Sequence, residues 1–260
     1  MKKLDTGTLV TLLESLAPPE GAGEWDNTGL LVESGEHKPI QKILLTLDLT
    51  PAVATEAIKL QADWIIAYHP PIFSGLKTLS RNAPLTAALL DLIAAGISVY
   101  SPHTALDAAE GGVSDWLCTA FPDAQIKTIE GSGRRLKFKK ALPPDEVASR
   151  IHHLLNSPYL RLCKPARSHK IKTLGLCPGA GASVLNGMGV DAVFTGEMRH
   201  HDMLAWQSRG AYVFLSEHGH TERPYLKVFQ KRLKENLPAS VKIIRSRKDI
   251  EPVALVLPHA

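Results

Sequence analysis

Six short apolar runs, alternating with stretches of helical pattern, constrain this chain more than any other feature. KILLTLD, DWIIAYH and ISVYS make a first series, and IKTLGLC, DAVFTGE and AYVFLSE a second. Runs this short, apolar on both faces, read as parallel strands covered by helices on both sides. The segments between them carry helix punctuation. Thr50 can cap a helix that Pro51 opens and that runs to about Gln61, Pro84 opens another reaching about Ala95, and Gly96 sits where a left-handed stop is wanted. Leu9 to Leu16 reads as an amphipathic opening helix stopped by Ala17-Pro18-Pro19, and a loop containing EWDNTGLLVESG follows. In the second series GAGASVLNGMG is a turn and short helix, HHDMLAWQSRG a helix with a glycine stop, and TERPYLKVFQKRLKEN one long amphipathic helix. Gln125 to Ser168 reads as a hinge strand, a helix over Pro144 to Leu155 and a polar loop, KPARSHK. The predicted fold class is therefore α/β: two similar α/β lobes with mainly parallel sheets. Residues 1–124, completed by 237–260, make the first lobe and residues 125–236 the second.

Composition narrows the class. With 260 residues, 44% hydrophobic and 22% charged, the chain can bury a sizeable core and is not disordered. No apolar stretch approaches the ~20 residues that span a bilayer. MKKLDTGTLVTLLESLAPPEG carries acidic residues where a targeting peptide avoids them, so a cytoplasmic address is the default expectation. Cys118, Cys163 and Cys177 are far apart with no C-x-x-C, which predicts reduced thiols and leaves any metal to nitrogen and oxygen donors. The net charge is +4, with basic clusters at Arg134, Arg135, Lys137, Lys139, Lys140 and at Lys242, Arg245, Arg247, Lys248. Apart from Phe138, no aromatic residue is interleaved with them as a nucleic-acid surface would require, so they read as solvated strand or turn faces.

Chemistry gathers at the strand ends, where ligands bind in open α/β sheets. The first series offers Asp48, His69, and His103 with Asp107; the second offers the Gly179-Ala180-Gly181 turn, then Glu197 with His200, His201 and Asp202, then Glu217, His218 and Glu222. One spacing occurs twice. His103 stands four residues before Asp107 and His218 four before Glu222, so both heads can converge if each segment coils. Imidazole with carboxylate suits borderline to hard divalent ions. If the lobes face each other across these ends, His69, Asp107, His218 and Glu222 meet in a cleft able to hold one or two such ions.

Plainer readings compete at each position. A lone His69 can be a turn residue, and Asp107 or Glu222 can be an acidic residue favoured at a helix N-terminus. His103 is either a ligand or, by preference, a group that orients Asp107. His220 reads as a loop residue, while His200 and His201 divide between lining a site and capping a helix. The glycine turn can cradle a phosphate or simply turn tightly, and Trp25-Asp26-Asn27 are turn residues unless the cleft lies close.

The stretches EWDNTGLLV, YHPPIF, SPHTALDAAEGGVSDWL, CPGAGASVL, TGEMRHHD and SEHGHTERPYL, in this order, resemble the GTP cyclohydrolase I type 2 homologue family, also called NIF-three-like. The resemblance implies a two-lobed α/β chain with a two-metal cleft and a toroidal homohexamer. By motif position it implies that His69, Asp107, His218 and Glu222 are metal ligands, with Glu222 bridging. It also carries a departure: Tyr68-His69 stands where many bacterial members have two histidines, and a phenol with a pKa of about 10 is a poor ligand for zinc, manganese or ferrous iron. The expectation is one metal position that is weaker, water-filled or absent. IIRSRKDIEPVALV resembles the family's closing strand.

Two functions compete at this stage. The first is a divalent-metal-dependent hydrolase acting on a nucleotide or phosphorylated small molecule, with Glu222 and His103 as catalytic candidates and one or two ions as cofactor. The family name suggests GTP, although nothing in these residues selects guanine. The alternative is a non-catalytic, metal-stabilised oligomer that presents surfaces to protein partners. A ring that threads nucleic acid, dependent on Arg134 and Arg135, ranks last.

Overall fold

The computed structural model describes residues 4–34, 38–129, 131–254 and 256. Met1 to Lys3 of the opening segment, Gly35 of the loop after Trp25, and Leu255 and residues 257–260 of the closing segment lie outside the described residues.

In chain order the helices are α1 (Thr6–Leu16), α2 (Pro51–Lys59), α3 (Pro84–Ala94), α4 (His103–Ala108), α5 (Val113–Cys118), α6 (Pro144–Leu155), α7 (Ala182–Leu185), α8 (His200–Ser208), α9 (His218–Glu222) and α10 (Tyr225–Asn236). The strands are β1 (Gly29–Val32), β2 (Lys42–Thr46), β3 (Trp64–Ala67), β4 (Ser98–Ser101), β5 (Gln125–Thr128), β6 (Arg134–Leu142), β7 (Arg161–Cys163), β8 (Ile171–Leu176), β9 (Ala192–Thr195), β10 (Tyr212–Leu215) and β11 (Lys242–Arg245). They form two sheets, ordered β1-β4-β3-β2-β11 and β5-β6-β8-β9-β10-β7. β4, β3, β2 and β11 run parallel, as do β8, β9 and β10, while β1 and β7 are antiparallel edges and β5-β6 an antiparallel pair at the side of β8. The expected α/β class with two mainly parallel sheets is what the chain adopts.

Local chemistry explains the elements. Thr50 accepts a hydrogen bond from the Val53 amide, and Pro51, which has no amide hydrogen to lose, opens α2. Gly96 takes φ +71° just past α3. Alternating residues of each parallel strand point to opposite faces, so both faces need cover. Ile43 and Leu45 of β2 pack with Leu9, Leu13, Tyr225, Phe229 and Leu233, whereas Leu44 packs with Val53, Ala57, Leu89 and Leu92. In the second sheet Leu174, Leu176 and Phe194 meet α6 through Val147, Ile151 and Leu155, while Val193 and Val213 meet Trp206 and Leu185 on the other face.

Three expectations change. The long helix from Thr221 breaks into α9 and α10 at Pro224, and the apolar face of α10 then packs on the first sheet's core. Gly29–Val32, read as loop, is the edge strand β1, and its burial pattern shows none of the alternation that marks a half-covered strand in sequence. Arg134 is not on a solvated face. Its guanidinium is buried, donating to Asp115 at 2.7 Å and to the carbonyls of Gly133 and Ala108 at 3.0 Å. It thereby ties β6 to α4 and α5, the helices beyond β4. Arg135, by contrast, is exposed as expected.

This clamp yields a stability prediction. Removing one partner of a buried ion pair strands the other charge; Asp115 is one-third exposed and Arg134 keeps its carbonyl partners, which discounts the effect. Asp115→Ala is expected to lower the unfolding free energy by about 2 kcal/mol in urea denaturation.

Candidate metal centre

The carboxyl ends of both sets of parallel strands open into one cavity of about 450 Å³, lined from the first sheet by His69, His103 and Asp107 and from the second by Gly179, His218 and Glu222. His69 follows β3, His103 and Asp107 lie on α4 beyond β4, and His218 and Glu222 lie on α9 beyond β10. Both strand-to-helix turns are strained. His103 has φ +28° and Glu217, just before His218, φ +71°, in the left-handed region that side chains avoid. Such backbone costs on the order of 1–3 kcal/mol and collects at functional sites.

Glu222 is the centre. It is only 4% exposed, with Oε2 3.2 Å from His69 Nε2 and Oε1 3.4 Å from His218 Nε2. Each ring is held from behind by a second carboxylate: His69 Nδ1 donates to Asp48 Oδ1 at 2.8 Å, and His218 Nδ1 to Glu197 Oε1 at 2.9 Å. With Nδ1 committed to a carboxylate, a neutral ring presents a bare Nε2, the arrangement found behind metal-bound imidazoles. His69 Nε2 and Glu222 Oε2 are both buried and, beyond facing each other at 3.2 Å, have no hydrogen-bond partner. One donor atom each from His69, His218 and Glu222 lies within 4.8 Å of the other two. Buried nitrogen and carboxylate donors, converging and unsatisfied, fit a divalent ion.

Gly179 makes room for this. It has φ +57°, and a Cβ there would stand 2.4 Å from Glu222 Oε1 and 3.0 Å from His218 Nε2. The glycine turn is used internally: the Gly179 amide donates to Thr221 Oγ1 at 2.8 Å and the Gly181 amide to Thr195 Oγ1 at 2.9 Å. Tight turning, the second of its two sequence readings, therefore accounts for these glycines.

The other candidates divide. Asp107 lines the same cavity, buried, and accepts a hydrogen bond from the Tyr68 hydroxyl. His103 does not orient Asp107 through its Nδ1, which donates instead to Asp26 Oδ1 at 2.7 Å; Asp26 also accepts from the Thr104 amide at 3.1 Å. The repeated spacing thus brings imidazole to carboxylate within α9, whereas in α4 each head has another partner. His200 and His201 are exposed and away from the cavity, and His220 is bound to the Ser216 carbonyl at 2.6 Å. Asp26, which holds His103, is the candidate hardest to see in sequence, because an Asp before Asn in a loop looks like turn chemistry. The strand-end positions of Asp48 and Glu197 did signal them.

Electrostatics follow from the packing. Burial opposes charge on His69, but Asp48 and Glu222 outweigh it and push its pKa up to about 10; at His218, Glu222 and Glu197 overcome burial and raise it to about 9. Burial alone would raise Glu222, yet the two imidazoles hold it below the usual carboxylate range. Asp107 is pushed up to about 8 by burial and by Glu222. Burial, then Asp107 and Glu222, drive the Tyr68 phenol well above its ordinary value.

For the metal-free protein the signs are definite. Histidines whose folded values of about 10 and about 9 exceed the ordinary 6.5 give stability that is complete below 6.5 and lost as pH rises through 9 and 10. Asp107, raised from 3.8 to about 8, adds a penalty that grows over that interval. The thermal midpoint in chelator should therefore fall steadily from pH 6 to pH 10, while metal affinity rises over the same range because the ion displaces the ring protons. A flat melting profile would contradict this account.

The family described as Duf34/NIF3 (NGG1p interacting factor 3) matches residues 4–252. Protein NIF3 homolog of Schizosaccharomyces pombe is 40% identical over 94% of this chain and 96% of its own length, and NIF3-like protein 1 of Drosophila melanogaster is 38% identical over 95% and 88%. Among solved structures, a Bacillus cereus protein related to NIF3 superposes with TM-score 0.85 at 20% identity, covering 98% of this chain and all of its own. Reduced HcgD from Methanocaldococcus jannaschii gives 0.83 at 24%, covering 94% and 98%; at these identities the likeness is one of fold. Family match, sequence relatives and fold agree: the chain belongs to the Duf34/NIF3 family.

Proposed function

We propose that the chain is a divalent-metal-dependent hydrolase acting on a nucleotide or another phosphorylated small molecule. The observation that carries this reading is the buried Glu222 carboxylate, facing two imidazoles whose far nitrogens are tied to Asp48 and Glu197. His69, His218 and Glu222 would hold a zinc, manganese or iron ion, with Asp107 the further carboxylate at the site. A divalent ion bound there supplies Lewis acidity and brings the pKa of water toward ~7.

The chain's own groups supply the rest. Asp48 and Glu197 fix ring orientation and tautomer, which keeps both Nε2 atoms aimed at Glu222. Asp26 anchors His103 through Nδ1, leaving Nε2 as the atom that can take up or deliver a proton in the cavity. Tyr68 stays a neutral phenol at physiological pH and donates a hydrogen bond to Asp107, which makes it a poor ligand. We infer one tightly held ion per chain where a second histidine would allow two.

A second reading has its own observation. The Saccharomyces cerevisiae relative, 34% identical over 89% of this chain, is called NGG1-interacting factor 3. On that reading the ion stabilises the cavity walls, and a toroidal homohexamer presents surfaces to protein partners without catalysis.

Glu222→Gln separates the two. Loss of metal and of phosphate-ester hydrolysis, at least 100-fold, with the oligomer intact supports the hydrolase; collapse of the oligomer, with no activity detected in the unsubstituted protein, supports the scaffold. Elemental analysis should find about one metal equivalent per chain, rising toward two in Tyr68→His. Two equivalents in both would remove the role given to Tyr68.

A further inference from the structure

The metal cavity has an aromatic rim that neither ion binding nor core packing uses. Trp25 is 65% exposed and Phe73 51% exposed, yet their ring centroids lie 5.9 Å apart at an interplanar angle of 48°. Both line the same cavity as His69, His218 and Glu222. Leaving two large rings in water forfeits burial that most proteins take, and a tilted pair beside a polar pocket is a shape into which a flat apolar group wedges.

The rim is held in place. Asp26, next to Trp25, is fixed by His103 and Thr104, and Thr104 Oγ1 accepts from the Gly23 amide at 2.9 Å. The Asn27 side-chain amide donates to the Ile72 carbonyl, so the loop carrying Trp25 is fastened to the loop carrying Phe73. Gly23 lets the indole fold close over it: a Cβ there would lie 2.9 Å from the Trp25 ring in this position. His103 meets both rings edge-on, its centroid 6.1 Å from Trp25 and 6.3 Å from Phe73. The proton-handling candidate and the rim are therefore one packed unit. From the second sheet the cavity is walled by small residues, Gly179, Ala180, Gly181 and Ser183, which leave a slot with space for a ring. Among the described residues neither Lys nor Arg lines the cavity, so recognition there favours an uncharged planar group.

We propose that Trp25 and Phe73 form a stacking platform that selects substrates carrying a planar heterocycle, such as a nucleobase, and sets them beside the Glu222 centre. This deepens the hydrolase reading and rests on it for the reaction, while the binding of the ring itself needs no catalysis. Base stacking on an aromatic side chain is sequence-tolerant, so purine and pyrimidine rings should both be accepted.

The test is isothermal titration of the full chain with adenosine 5′-monophosphate, cytidine 5′-monophosphate and ribose 5-phosphate, with metal content and oligomer mass measured alongside. The nucleotides should bind at least about tenfold more tightly than the ring-less sugar phosphate. Trp25→Ala should erase that difference and Trp25→Phe retain most of it, both keeping metal content and mass. Equal affinity for all three probes, no nucleotide binding, an unaltered preference in Trp25→Ala, or an oligomer that falls apart in Trp25→Ala would each overturn the platform, the last by making the rim a subunit contact. The two proposals fail separately. Selective nucleotide binding without hydrolysis by the metal-loaded protein sinks the hydrolase and leaves the platform, whereas hydrolysis of ribose 5-phosphate as efficient as that of nucleotides does the reverse.

Discussion

A carboxylate buried between two imidazoles organises this protein. Glu222 is only 4% exposed, and His69 and His218, one from each sheet, neutralise it. That requirement reaches outward. Each ring needs a carboxylate behind it, supplied by Asp48 and Glu197; Gly179 needs its missing side chain; and α9 must begin at a strained Glu217 to carry His218 and Glu222 on one short turn.

The same centre explains why the two halves of the site are unlike. Around His218 the donors face one another across an open approach, whereas around Asp107 a phenol has taken the neighbouring place and spends its hydrogen on the carboxylate. Buried among acidic groups, Tyr68 stays protonated, so its presence is a chemical choice against charge at that point. His103, turned toward Asp26, belongs to the aromatic rim as much as to the centre. The aromatic pair and the Glu222 group thus line adjoining faces of one cavity.

Among sequence readings, those that rest on local rules fared best. Thr50-Pro51 and Pro84 mark helix starts because capping and proline geometry act within one turn, and the parallel strands announce themselves by being apolar on both faces. Readings that needed distant partners fared less well. Arg134 looked like one charge in a basic surface run; only the approach of Asp115 and the Ala108 carbonyl makes it a buried clamp. β1 carries no alternation because Leu30 packs against one core cluster and Val32 lies in another, and Thr221 to Asn236 reads as one helix until Pro224 separates a site-bearing turn from a core-packing one.

The sequence by itself determined the α/β grammar, the strand-end placement of His69, Asp107, His218 and Glu222, and the odd phenol at Tyr68, since each depends on residue type and near neighbours. Only the tertiary structure decided which of these meet. Glu222 could be joined to His69 only by bringing two separate sheets together, and Asp26 could be linked to His103 only across 77 residues of chain. Hydrogen bonds and ligand sets form over about 3 Å, and a linear spacing carries no information about such distances once the chain has turned back on itself.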